Sequence, residues 1–173
     1  NTLIVNNHRE LFPVEKEMYL SGPPLHVLAM TLVKQFRDEF GDTYPISFSA
    51  GIDKKNFAGS VATGLVPVTT CSDLLKAGGY GRALSYFKNL YKWMNKVGAT
   101  DLDSFILLAY GHGEEALNRL MLPDEDPRKK ACIEAIQKQS GFKEAAGKEL
   151  YGAWLSQARI LNTDSYVAEM LQD

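Results

Sequence analysis

The sequence predicts an α/β fold with parallel strands, followed by an all-helical half, the two meeting near residue 98. Three observations carry this. Two short apolar runs, Pro45-Ile46-Ser47-Phe48-Ser49 and Leu65-Val66-Pro67-Val68-Thr69-Thr70, each run through small or hydroxyl-bearing residues into a helix start. The intervening text is long enough for the right-handed helical crossover that joins parallel neighbours. No strand pattern follows residue 70, where helix starts and stops recur instead.

Residues 1–20 hold Asn6, Asn7 and Pro13 with little apolar period, and read as a loop with one short strand. Ser21-Gly22-Pro23-Pro24 opens a helix: Ser21 can cap it, and proline suits the first turn. Leu25, Leu28, Leu32, Phe36 and Phe40 recur every three or four residues and mark its apolar face. Gly41 ends it. Asp53 is expected to cap a shorter helix holding Phe57 and Val61, ended by Gly64. Gly78-Gly79-Tyr80-Gly81 is a turn. A helix from about Arg82 presents Leu84, Phe87, Tyr91 and Met94, and stops at Gly98. Thr100 or Asp101 caps the next, with Leu102, Phe105, Ile106 and Ala109, broken by Gly111-His112-Gly113. Further helices are expected at about 114–121, at 127–138 with Pro127 at the first position, and at 144–160. Asn162-Thr163-Asp164 should cap a last one.

Composition bounds the function. The 173 residues are 45% hydrophobic and 23% charged with net charge −2, which suits one sizeable core and opposes a basic nucleic-acid surface. No apolar run reaches the ~18 residues of a membrane span. Cys71 and Cys132 form no CxxC pair, which favours a reducing, cytoplasmic setting over a disulfide framework. The chain opens at Asn1 without methionine, and Tyr166–Leu171 carries no stop signal, so truncation at both ends is expected.

The two strand endings pose the functional question. Gly51 lacks a Cβ, so an anionic oxygen can approach its N–H closely. A helix start behind it would add unpaired N–H groups and a positive dipole end. Cys71 and Ser72 occupy the corresponding place one strand on, and Ser72 adds a hydroxyl. In parallel α/β folds ligands sit at the carboxyl ends of strands. The two endings therefore read as two walls of one phosphate cup, although tight strand-to-helix turns alone would give the same pattern.

SGPPL, then SAGID, then TTCSDLL resemble the last third of the flavin-binding (β/α)8 barrel of dihydropyrimidine and dihydroorotate dehydrogenases. The phrases EKEMYLSG, ISFSAG and DLLKAGGYGR are similar to the large multidomain iron–sulfur flavoproteins of the selenate reductase subunit type. The resemblance covers about residues 1–95. It implies the C-terminal section of a TIM-type barrel over residues 1–98 and a helical extension over 99–173, leading towards an iron–sulfur module. It implies that Ser21, Gly22, Ala50, Gly51, Cys71 and Ser72 hold the phosphate and ribityl chain of FMN, and that Asn1 and Thr2 meet the substrate ring. Gly51 matches the second glycine of the family's phosphate turn, whereas Ala50 stands where the family often has the first and would add a methyl at the cup. The family's active-site loop and flavin-contacting lysine have no counterpart here, so no catalytic residue is assigned. Iron–sulfur clusters, FAD and NAD(P) are expected in the parent protein only.

No metal site is expected: His8, His26 and His112 lack ligand spacing and suit surface or capping roles. Asp124-Glu125-Asp126 reads as a solvated helix start. Tyr86, Phe87, Tyr91 and Trp93 have helical spacing and suit core packing. Gly78-Gly79-Tyr80-Gly81 is no dinucleotide fingerprint, since no strand leads into it. Two functions stay open: part of a flavin and iron–sulfur oxidoreductase, or a degenerate barrel serving as scaffold. The expected partners are the remaining domains of the parent chain and a second copy meeting at the open barrel face, a pairing preferred over closure by the helical tail.

Overall fold

The two apolar runs do lie side by side and run parallel. The Val66 N–H donates to the Ile46 carbonyl at 3.0 Å, the Phe48 N–H to the Pro67 carbonyl at 2.9 Å, and the Thr69 N–H to the Phe48 carbonyl at 2.9 Å. The pairing is short, a single bridge between Phe48 and Val68. The computed structural model describes residues 2–5 and 17–172, with only the backbone described at 2–5 and 17–19. Thr2–Val5 (β1) and Glu17–Leu20 (β2) pair antiparallel, Thr2 opposite Leu20 and Val5 opposite Glu17. The sequence led us to expect one strand there. β-Branched Thr2, Ile4 and Val5 suit a pleated ribbon, and the second segment supplies its partner. No closed barrel is formed among the described residues.

Helix α1 spans Pro23–Phe40 and ends at Gly41, as predicted. Its cap differs. Gly22 occupies the cap position at φ 74°, ψ −157°, a backbone region essentially restricted to glycine, and the Ser21 side chain makes no capping bond. The predicted apolar face is also corrected. Leu28 and Leu32 are 55% and 65% exposed, while Leu25, His26, Met30, Val33 and Arg37 face inward. Polar residues can occupy that face because a later helix brings their partners.

That helix, α7, runs Phe142–Met170 with a kink at Gly147. The start predicted at Asn162-Thr163 does not occur. Asn162 Nδ2 donates to the carbonyls of Ala62 and Ile106, both at 2.8 Å, and Thr163 Oγ1 to the Arg159 carbonyl at 2.7 Å. The side chains that could have capped a helix are used across the core instead, and the helix continues through them. Arg37 is held in the same seam. Its Nη1 donates to the Thr63 carbonyl at 2.7 Å and to Thr163 Oγ1, and its Nη2 to Asp42 at 2.9 Å. Asp42 also accepts from Arg159 of α7 at 2.9 Å.

Between these lie α2 (Phe57–Ala62), α3 (Ala83–Val97), α4 (Leu102–Leu108), α5 (Gly113–Asn118) and α6 (Pro127–Lys138). α2 begins three residues later than predicted, its cap position at Asn56 rather than Asp53, because Asp53 Oδ1 accepts from the N–H groups of Lys55 and Asn56 and forms a turn ahead of the helix. α3 ends at Gly98 as expected, yet it buries Tyr86, Leu90 and Met94 and leaves Leu84 and Tyr91 exposed. Of the four aromatics expected in the core, Tyr86 is buried, Trp93 packs on Phe105 and Tyr110, and Phe87 and Tyr91 are exposed. Asp101 and Ser104 form a reciprocal capping box on α4.

Three core clusters result. One gathers α4 to α7 around Trp154, whose Nε1 donates to the Gly113 carbonyl at 2.7 Å. One joins α2, α3 and α4 through Ala62, Met94 and Phe105, across the turn at Gly98. One brings Leu25, Met30, Phe48 and Ile52 against Tyr166 and Val167. The tail therefore folds onto the α/β half rather than packing only on itself. No helix among the described residues is long and apolar enough to cross a membrane.

Candidate functional site

Beyond the carboxyl ends of the two parallel runs, three loops meet around a cavity of about 430 Å³. Ser21, Gly22 and Leu25 line it from the entry to α1; Ser49, Gly51 and Ile52 from the first strand end; Thr69, Cys71, Ser72 and Leu75 from the second. The sequence thus brought Ser21, Gly22, Gly51, Cys71 and Ser72 to one place. Ala50 is absent from this lining; it is buried in the core cluster with Leu25, Phe48 and Ile52. Asn1 lies outside the described residues, as does His8, and Thr2 is described only as a backbone position in β1.

Gly51 is required at its position for a reason the sequence did not reveal. Its φ is +57°, and a Cβ there would stand 2.1 Å from the Gly22 carbonyl oxygen. Two loops of the site are packed backbone to backbone, so glycine is demanded by the fold whether or not a ligand approaches.

The peptide groups around Gly51 are anchored from behind. His26 Nδ1 lies 2.8 Å from the Ala50 carbonyl, and the Gly51 carbonyl accepts from Asn56 Nδ2 at 2.9 Å. The N–H groups of Gly51 and Ile52 have no acceptor among the described residues. Two successive free N–H groups, one beside a positive-φ glycine, form the kind of concavity that attracts anions. The helix dipole invoked from the sequence is not at hand, since α2 starts only at Phe57.

The third loop is a short 3₁₀ turn over Ser72–Leu75, held by Asp73. Asp73 is buried and accepts from Arg82 at 2.8 and 3.0 Å, from the Tyr86 hydroxyl at 2.7 Å, and pairs with Lys76 at 3.2 Å. The Arg82 bonds above all, with Tyr86 and Lys76, hold its carboxyl well below the usual carboxylate range despite burial. Nothing at the sequence level pointed to Arg82 or Tyr86, which lie nine and thirteen residues along the chain. A side recess of about 50 Å³ adjoins the cavity at Gly22, Gly51 and Ser72, and is edged by Asp53, Asp73 and Lys76. Thr70 Oγ1 donates to the Ile52 carbonyl at 3.0 Å and ties the two strand-end loops together.

His26 is corrected from a surface or capping role to a core one: it is buried between Ala50 and Tyr166. His112 is partly exposed, 2.7 Å from Ser165 and 3.2 Å from Glu115. Among the described residues no three His, Cys, Asp or Glu side chains gather as a metal ion would need. The cavity's size falls in the usual small-ligand range of roughly 300–1,000 Å³. Its lining offers hydroxyls and free N–H groups, the donors that an anionic group requires.

A family profile described as "Oxidoreductase YgfK, N-terminal TIM-barrel domain" matches residues 1–115. Two curated relatives named "Putative oxidoreductase YgfK", from Escherichia coli strain K12 and Escherichia coli O157:H7, are each 36% identical over 90 residues. That stretch is 52% of this chain, and the match spans 9% of each relative's length. No solved structure matches the chain.

Proposed function

The chain belongs to the oxidoreductase YgfK N-terminal TIM-barrel family, and from that premise we propose that its three converging loops hold the phosphate end of FMN. The supporting observation is the convergence itself: Ser21-Gly22, Gly51 and Cys71-Ser72 line one polar cavity at the carboxyl ends of two parallel strands. The Gly51 and Ile52 N–H groups would donate to phosphate oxygens, and the Ser21 and Ser72 hydroxyls would add side-chain donors. Lys76, at the edge of the side recess, supplies a cation. Asp73, locked by Arg82 and Tyr86, keeps the Cys71-Ser72 turn in place before any ligand arrives. FMN, when bound, would supply the redox chemistry at its ring; these residues bind and orient its tail. In this reading residues 1–98 are the barrel section and 99–173 the extension, while iron–sulfur clusters, FAD and NAD(P) serve other parts of the longer oxidoreductase.

The test is FMN titration, followed by flavin fluorescence, of the chain and of Ser72→Asp. Ser72 is exposed, so the change adds a carboxylate beside the bound phosphate without filling the core. Like charges ~4 Å apart repel by about 4 kcal/mol at intermediate dielectric, so at least tenfold weaker binding is expected. Equal binding by both proteins would remove Ser72 from the site, and no FMN or phosphate binding by the unaltered chain would end the reading. A scaffold role is favoured instead by a different feature, an apolar hollow of about 470 Å³ between α1 and Tyr44–Ala50, edged by exposed Leu32 and Tyr44.

A further inference from the structure

A buried chain of two hydrogen bonds connects the far end of the helical extension to the candidate site. Tyr166, near the end of α7, lies with its hydroxyl 2.8 Å from His26 Nε2, and His26 Nδ1 lies 2.8 Å from the Ala50 carbonyl. The proton positions follow from the partners. A carbonyl only accepts, so Nδ1 carries hydrogen; Nε2 of the neutral ring must then accept from the Tyr166 hydroxyl. Tyr166 reaches this position only because residue 59 is glycine: a Cβ there would stand 2.6 Å from the tyrosine ring.

The Ala50 carbonyl and the Gly51 N–H belong to one peptide group, and in a trans peptide they point in opposite directions. Fixing the carbonyl on a core histidine therefore directs the N–H away from the core, towards the cavity that Gly51 lines. We infer that Tyr166 and His26 are positioning residues that aim the Gly51 N–H at the bound anion, making α7 part of the site's control. The consequence for binding rests on the flavin-phosphate reading above; the aiming of the peptide does not.

Few charges face this relay. Asp53, from the loop after Gly51, acts on His26, and Asp53 with Glu169 of α7 acts on Tyr166. Burial outweighs them at His26 and disfavours its charged form. If His26 takes up a second proton, its Nε2 becomes a donor. The Tyr166 hydroxyl must then accept there and turn its own proton elsewhere, and the Asn56 carbonyl, 3.3 Å away, can receive it.

The experiment uses glycine-labelled protein, amide NMR between pH 5 and 8, and binding of inorganic phosphate and of FMN. The Gly51 amide signal should titrate with His26. In Tyr166→Phe the midpoint should move upward, because neutral Nε2 loses its donor, while Gly152 on the far part of α7 stays put. Phosphate and FMN should bind about three- to tenfold more weakly at neutral pH. His26→Asn, whose amide N–H can stand in for Nδ1–H, should keep the Gly51 signal and the affinity while abolishing the titration; His26→Leu should lose all three. A Gly51 signal unmoved by His26 titration and by Tyr166→Phe overturns the inference, whatever the ligands do. A Gly51 signal that moves as expected in a protein binding neither phosphate nor FMN supports the aiming and removes the flavin-phosphate reading instead. If Tyr166→Phe loses stability, the contrast between His26→Asn and His26→Leu carries the same decision.

Discussion

Replacing Gly51 with alanine should cost far more than its one added methyl suggests. Two penalties act together. At φ +57° an L-residue pays about 1–2 kcal/mol for left-handed backbone. The new Cβ would also stand 2.1 Å from the Gly22 carbonyl oxygen, and that neighbour is backbone, so no rotamer change relieves it. Forcing the loops apart by the roughly 1 Å needed resembles overpacking a core, worth about 1–3 kcal/mol. The sum is about 2–5 kcal/mol, and at about 2–4 °C per kcal/mol for a chain of this size the midpoint should fall by roughly 10 °C. Gly141 provides the control: its φ is +74°, nothing lies within 4 Å of its would-be Cβ, and Gly141→Ala should show the backbone penalty alone. Circular dichroism melts of the three proteins decide. Equal losses at both positions would refute the claim that the Gly22–Gly51 contact carries the difference. The same contact makes Gly51→Asp a poor probe of phosphate, because it would disturb the fold first.

Other outcomes follow from the polar core and the surface. Burial lowers the His26 pKa from about 6.5, so the unfolded chain takes up a proton that the folded ring resists. His26's share of stability is thus complete above about pH 6.5 and is lost as pH falls through the folded value, at up to ~1.4 kcal/mol per pH unit; melts at pH 7.5 and 5 should show it, and His26→Asn should flatten it. Asp42→Ala leaves Arg37 buried without its carboxylate and also removes the ion pair to Arg159 of α7, so it should cost about 3–5 kcal/mol in urea unfolding, where a loss below 1 kcal/mol would show that Asp42 does not tie the end of α1 to α7. The exposed row Leu28, Leu32 and Phe40 predicts concentration-dependent sedimentation that Leu32→Lys abolishes; a concentration-independent monomer at the outset would refute pairing through this face.

Sequence alone determined the features whose physics is local. Pro127 at a first helical turn, Asp101 three residues before Ser104, and glycines at 41, 64 and 98 place helix ends within a few residues, because a cap or a stop needs only its neighbours. The parallel pairing of residues 46–49 with 66–70 was legible from strand length and spacing. So was the gathering of Gly51 with Cys71 and Ser72, because strand ends in such a unit share one side; Ser21 entered the site only through the family resemblance. Tertiary structure decided which faces were buried. On α1 and α3 the apolar period marked rows that point largely to solvent, while His26 and Arg37 went inside. Periodicity reports where apolar side chains sit, whereas burial depends on what packs against them, and Tyr166, Thr163 and Asp42 made the polar face of α1 the better partner. Asn162 and Thr163 follow the same logic: each could end one helix and cap another, yet carbonyls brought from α2, α4 and α7 itself accept their hydrogens, and α7 runs on. Gly51 joins the two levels, since its freedom was visible in the residue and its necessity lies in a carbonyl twenty-nine residues away that only the folded chain brings into contact.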